Sequence, residues 1–203
     1  KEKLKLHPHG IAASFDITHA AERQVFIQEA DVVLSLLPPA LHILVAQDCV
    51  QFGKNLITAS YVDAAMRALQ PQIAEKALLF LCEMGLDPGI DHMSAKKLID
   101  EIERQGGVIE SFVSHCGGLV APESDDNPWH YKISWNPRNV VLAGKAGALF
   151  KKDGEILEWP YEKLFEEKRY TPITEDEMLC WYPNRDSLSY MPLYGLEDVQ
   201  TFM

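Results

Sequence analysis

The densest cluster of residues able to do chemistry is the run Glu83-Met-Gly-Leu-Asp-Pro-Gly-Ile-Asp-His92. Pro88 fixes its own φ and Gly89 permits a sharp bend, so a ligand can pass close to the main chain while Asp87 presents a carboxylate. The same residues also suit an ordinary strand-to-helix turn in which Asp91 caps the next helix, and short motifs of this kind have low specificity. A second turn, Tyr182-Pro-Asn-Arg-Asp-Ser187, holds Arg185 between polar neighbours. Arg binds carboxylates through paired N–H donors, although a surface ion pair with Asp186 explains the residue equally well. Cys116-Gly-Gly-Leu-Val-Ala-Pro follows an extended run, and its two glycines let a partner approach the backbone. A nucleophilic cysteine needs a depressed pKa and access. His115 is the only visible cationic neighbour, so Cys116 reads as a packing or site-lining thiol and His115 as structural. His7, His9 and His19 lack ligand spacing, and Asp125-Asp126 belongs to a loop before Asn127-Pro128, so no metal is assigned.

These residues need elements to position them. Asp31–Leu37, Asn55–Ser60 and Ala77–Met84 read as short apolar strands, spaced about 22 to 25 residues apart, each ending in a small polar or Pro/Gly-rich turn. Between and after them lie three helical stretches. Pro39–Gly53 has Leu41, Leu44, Val45 and Cys49 near helical spacing and Gly53 suited to a left-handed cap. Tyr61–Lys76 is broken or kinked by Pro71, and a helix from Asp91 to Gln105 stops at Gly106-Gly107. The order βαβαβα predicts a parallel sheet. Its three turns, Ser35–Pro38, Thr58–Tyr61 and Gly85–Gly89, then share the edge where open α/β sheets bind ligands.

From Val108 onward the texture changes. Extended runs appear at Val108–Cys116 and Tyr131–Trp135, and a hairpin is expected where Leu149-Phe150 and Ile156-Leu157 flank Asp153-Gly154. Glu162–Arg169 is a charged, solvated stretch. The fold class is therefore α/β, an incomplete Rossmann-type parallel sheet followed by an α+β domain with a mixed or antiparallel sheet. The division is expected as residues 1–89 and 90–203.

The chain has 203 residues, 47% of them apolar, and a net charge of −11, which opposes lasting contact with a phosphate backbone. Nucleic acid is not an expected partner. No apolar run reaches the roughly 18 to 20 residues of a membrane span, and Lys1-Glu-Lys-Leu-Lys lacks the features of a signal peptide. Four cysteines without C-x-x-C spacing fit reduced thiols, and a cytoplasmic location is expected. The abrupt start at Lys1 and the apolar Val199–Phe202 just before the end suggest a fragment of a longer polypeptide.

In order along the chain, six blocks closely resemble the saccharopine dehydrogenase family, best its L-glutamate-forming branch. They are Ala30–Pro38, Ile57–Tyr61, Glu83–His92, Cys116-Gly-Gly-Leu, Asn127–Trp135 and Tyr182–Ser187. The resemblance runs from about Asp16 to the C-terminus. It implies an NADP(H)-dependent enzyme, about twice this length, that joins glutamate and 2-aminoadipate 6-semialdehyde through an imine to give saccharopine, or runs in reverse. Carried over by motif, Leu36, Leu37, Thr58, Ala59, Leu86, Asp87, Pro88 and Ser134 lie along the cofactor. Ser60, Tyr61, Asp87 and Arg185 meet the amino-acid substrate, with Cys116 beside it. Asp87, Tyr61 and Cys116 are the catalytic candidates, holding an ordered water as the proton carrier.

The glycine-rich first turn of the dinucleotide fold is not among these residues, nor are those that read a 2′-phosphate, so NAD stays open beside NADP. Val120 stands where the family often has Pro. A carboxynorspermidine dehydrogenase-like imine reductase is the alternative within enzymes. A structural or dimerising fragment, pairing as a homodimer through its second sheet, is the alternative outside them. A Rossmann regulator that binds dinucleotide without turnover is a third reading. The isolated chain is expected to be inactive.

Overall fold

Strands β1 (Val32–Ser35), β2 (Asn55–Thr58) and β3 (Phe80–Leu81) pair in parallel in that order, with Ser35 opposite Thr58 and Ile57 opposite Leu81. They belong to a computed structural model that describes residues 7–133 and 144–203. The strands are shorter than the apolar runs that predict them, because the chain beyond each last pair turns into the loops that carry the polar residues. Parallel strands need a crossover. Helix α1 (Ala20–Glu29), which sequence reading did not anticipate, precedes β1, and α2 (Pro39–Phe52) links β1 to β2.

The start and end of α2 follow from its residues. Pro39 sits in its first turn, where the missing N–H costs nothing, and Gly53 ends it at φ 66° while Lys54 N–H returns to the Cys49 carbonyl. Val45, Ala46, Cys49 and Val50 are buried against Leu56 of β2, Ile27 of α1, Met66 and Leu69. The helical stretch expected over Tyr61–Lys76 forms as two short pieces, α3 (Ala64–Arg67) and α4 (Gln70–Glu75), with Pro71 in the first turn of the second. Asp63 caps α3 by accepting the Met66 N–H at 2.8 Å.

The opposite face of the sheet is different. Val32 and Leu34 of β1 are 52% and 61% exposed, whereas parallel sheets are normally covered on both faces.

Helix α5 (Ile90–Arg104) spans the division between two compact units, one ending at Ala95 and the other starting at Lys96. In the second unit, β4 (Ser111–Phe112), β5 (Ala148–Lys152), β6 (Glu155–Trp159), β9 (Arg185–Asp186) and β10 (Thr201–Phe202) form one sheet. Its β5–β6 and β5–β10 pairs are antiparallel, while β4–β10 and β5–β9 are parallel, so the sheet is mixed. The expected hairpin is present, with Asp153 at φ 51° and Gly154 at φ 85°, the two positive values of a tight two-residue turn.

A separate ribbon joins β7 (Arg169–Pro172) to β8 (Met178–Trp181). The stretch read as solvated is not wholly so. Leu164 is fully buried beside Phe150 and Trp159, and the Arg169 guanidinium stacks 4.4 Å from the Trp159 ring. The extended run Val108–Cys116 is a strand over Ser111–Phe112, flanked by backbone hydrogen bonds from Gln200 N–H to Glu110 O and from Ser114 N–H to Met203 O, and Tyr131 makes a single bridge to Leu119. Trp135, the far end of the second run, lies outside the described residues.

Candidate active site

The C-terminal ends of β1, β2 and β3 deliver three turns, and hydrogen bonds tie them together. Beyond β2, Thr58 Oγ1 accepts the Ser60 N–H at 3.0 Å, while the Thr58 and Ser60 carbonyls accept the N–H groups of Met84 and Glu83 at 3.0 Å each. Glu83 stands at φ 59°, unusual for a side-chain-bearing residue, and its Oε1 accepts the Val62 N–H at 3.3 Å. The turn after β2 is thus bonded along its length to the turn after β3.

The Gly85–Gly89 loop closes on itself. Gly85 N–H donates to Pro88 O at 2.9 Å, Ile90 N–H returns to Gly85 O at 3.0 Å, and Asp91 Oδ1 accepts the Gly89 N–H at 2.7 Å. The Asp87–Pro88 peptide is cis. A Cβ on Gly89 would stand 2.1 Å from Gly85 O, so only glycine fits. Asp91 is not the residue before the helix but lies in the first turn of the helix from Ile90, where its side chain reaches back to the Gly89 N–H, and the same fold of the chain leaves Asp87 exposed at the tip of the loop. The Tyr61 hydroxyl donates to Asp87 Oδ1 at 2.8 Å, joining the β2 and β3 turns through side chains.

A buried histidine lies beneath them. His42, on α2, is 4% exposed, with Nδ1 2.8 Å from Ser35 Oγ and Nε2 2.8 Å from Ser60 Oγ. Burial pushes its pKa below the ordinary 6.5, against a smaller opposing pull from Asp63. Sequence reading missed this residue. The signal was present, since His42, Val45, Ala46 and Cys49 occupy one i, i+3, i+4, i+7 stripe in which one member is polar.

Of the residues expected along a cofactor, Thr58 is buried, Leu37 and Ala59 are half-buried, and Leu36 and Leu86 are exposed at the strand ends. Exposed leucines flanking a polar, backbone-rich edge suit the flat apolar rings and polar linkage of a dinucleotide. Pro88 is buried in the loop, and Ser134 lies outside the described residues. Of the substrate set, Ser60, Tyr61 and Asp87 come together on this edge.

Arg185 and Cys116 belong to the second unit. Arg185 is held at φ 55°, its N–H donating to Gly147 O at 2.8 Å, and it lines a cavity of about 490 Å³ with Asp186, Glu158, Trp159 and Leu149. Cys116 is exposed, and the adjacent His115 ring meets the edge of Trp181 at 4.9 Å.

A parallel sheet with crossover helices, polar turns at the carboxyl ends of its strands and a following mixed-sheet unit define a Rossmann-type α/β protein with an appended α+β domain. Residues 1–81 match the family model described as the saccharopine dehydrogenase NADP binding domain, and residues 85–203 match that of the saccharopine dehydrogenase C-terminal domain. The chain belongs to the saccharopine dehydrogenase family.

It is 40% identical to the saccharopine dehydrogenase [NADP(+), L-glutamate-forming] of Saccharomyces cerevisiae, over 94% of this chain and 43% of that protein. It is 39% identical to the alpha-aminoadipic semialdehyde synthase of Arabidopsis thaliana, over 94% of this chain and 18% of that protein. The solved structure of the apo histidine-tagged saccharopine dehydrogenase (L-Glu forming) from Saccharomyces cerevisiae superposes with a TM-score of 0.87 at 38% identity, over 99% of this chain and 45% of that one. The chain thus spans less than half the length of these relatives.

Proposed function

We propose that the protein containing this segment is an NADP-dependent oxidoreductase that interconverts saccharopine with L-glutamate and 2-aminoadipate 6-semialdehyde. The observation that carries this reading is the Tyr61–Asp87 pair, closed at 2.8 Å on the C-terminal edge of the parallel sheet in a chain of this family. Residues 1–89 serve as part of the dinucleotide-binding domain and 90–203 as part of the substrate domain.

Leu36, Leu37, Thr58, Ala59, Leu86, Asp87 and Pro88 would hold NADP, with Ser134 as a further contact. When bound, the nicotinamide supplies the hydride acceptor or donor for the carbon of the C–N bond. Everything else falls to this chain's own groups. Tyr61 donates to one Asp87 oxygen, and the other oxygen accepts from the substrate amine. That carboxylate also steadies the positive charge of the protonated imine. Arg185 pairs with a substrate carboxylate through its planar fork. Ser60 and Cys116 line the substrate, and a water held by Asp87, Tyr61 or Cys116 carries the proton.

The test is steady-state kinetics of the full-length protein with saccharopine and NADP+, followed by nicotinamide absorbance across pH, for the wild type, Asp87→Asn and Tyr61→Phe. Saccharopine-dependent reduction of NADP+ that falls about a hundredfold in Asp87→Asn, with an altered pH profile in Tyr61→Phe, is expected. Near-normal turnover of both variants at every pH sinks the assignment of these residues. Absence of turnover in the wild type sinks the reaction.

A further inference from the structure

Ser35, His42 and Ser60 form a hydrogen-bonded row from the interior to the sheet edge, with both contacts of the imidazole at 2.8 Å. A neutral imidazole has one N–H, so one contact is donated by the ring and the other accepted by it. The surroundings decide which. Ser35 is 4% exposed, and among the described residues His42 is its sole side-chain hydrogen-bond partner. Were Nδ1 to carry the proton, the Ser35 hydroxyl proton would be buried with no acceptor, at the full desolvation cost of an unmade hydrogen bond. With Nδ1 as acceptor, the Ser35 O–H is satisfied and only a lone pair goes unused.

The row therefore runs Ser35 O–H to Nδ1, then Nε2–H to Ser60 Oγ. Both Ser60 and its neighbour Tyr61 are bound into the edge by the turn after β2, where Ser60 is half-buried and reachable from the ligand side. With its oxygen already receiving the Nε2 proton, the Ser60 hydroxyl is left to donate outward. A donor so fixed suits an anionic oxygen and not an ammonium group.

We propose that His42 is a positioning residue that fixes Ser60 as a hydrogen-bond donor to a carboxylate of the amino-acid substrate. This rests on the function proposed above, and it assigns His42 no contact with substrate. Burial favours the neutral ring, with Asp63 the charged group acting against it.

The experiment uses the full-length protein with His42→Asn, His42→Gln, Ser60→Ala and the double variant Ser60→Ala/His42→Asn. The Asn amide reaches only the position of Nδ1, whereas the Gln amide reaches that of Nε2 and still donates to Ser60. Expected are a rise of about tenfold in KM for saccharopine in His42→Asn and Ser60→Ala, no further rise in the double variant, and an unchanged KM for NADP+. His42→Gln recovers most of the loss. Thermal melts run alongside separate positioning from stability. Equal losses in Asn and Gln variants, losses that track the melting temperature, additive losses in the double variant, or a rise confined to NADP+ overturn the proposal.

A second readout needs no turnover. Long-range 1H–15N correlation of the His42 imidazole in the wild type is expected to show the neutral Nε2–H form at pH 7, and the Nδ1–H form overturns the assignment. If the wild type does not oxidise saccharopine, the reaction proposed above fails, and the tautomer alone decides the role of His42 in ordering Ser60.

Discussion

At the scale of single residues, two buried groups titrate away from their usual ranges, and each makes a prediction. His42 has a folded pKa below its ordinary 6.5 because burial disfavours the imidazolium. The unfolded chain then binds the extra proton, so the stability this site contributes is complete above pH 6.5 and is lost as pH falls through the folded value. Urea unfolding midpoints between pH 5.5 and 8 should fall on the acid side more steeply for wild type than for His42→Gln; identical slopes contradict this. Cys49, fully buried, has its thiol pushed up to about 12 by burial, with adjacent Asp48 adding to it. It should alkylate only when the protein unfolds, a difference read by mass spectrometry with and without denaturant. The loop glycine and the carboxylate at its tip were legible in the sequence, because Pro88 and Gly89 together call for a sharp bend that presents Asp87. The place of His42 on a buried stripe was legible too, but its partners were not, since they lie seven and eighteen residues away on two different strand ends.

At the scale of elements, α1 is fixed to α2 by a buried ion pair. Arg23 Nε donates to Asp48 Oδ2 at 2.6 Å, both side chains being under 8% exposed, and Gln24 donates to the other oxygen at 2.9 Å. Removing one charge strands the other, so Arg23→Ala should cost about 3–5 kcal/mol in chemical denaturation, whereas an apolar replacement of both partners costs much less. In the mixed sheet, Gly147 has φ 70°, and a Cβ there would stand 2.4 Å from Trp159 O. Its carbonyl also receives the Arg185 N–H. Gly147→Ala should therefore move the Arg185 backbone and raise KM for saccharopine in the full-length protein several-fold, with a smaller change in kcat. Elements with local signals were readable: the Asp153-Gly154 hairpin, the Gly53 cap and the break at Pro71. Helix α1 was not, because it buries Arg23, held by Asp48, and a lone apolar residue, Ile27, with no apolar stripe to mark it. The run holding β4 was readable as extended, but its pairing with β10 was not, since the two strands lie far apart along the chain.

At the scale of the whole molecule, the residues proposed for the site fall in both units. The first carries the strand-end turns with Ser60, Tyr61 and Asp87, and the second carries Arg185 and Cys116. No helix among the described residues is long and apolar enough to cross a membrane. The order of motifs along the chain made the architecture legible, because a βαβ rhythm leaves few topologies. A mixed or antiparallel second sheet was also expected, but its strand order was not legible, since the strands pair out of sequence order. The most direct test of the proposed reaction compares wild type and Arg185→Ala in the full-length protein, with saccharopine varied at saturating NADP+. Saccharopine-dependent reduction of NADP+, with KM for saccharopine raised about tenfold or more and kcat little changed in the variant, is the predicted result, since a carboxylate clamp binds ground and transition states alike. No reduction by the wild type, or an unaltered KM in the variant, would contradict it.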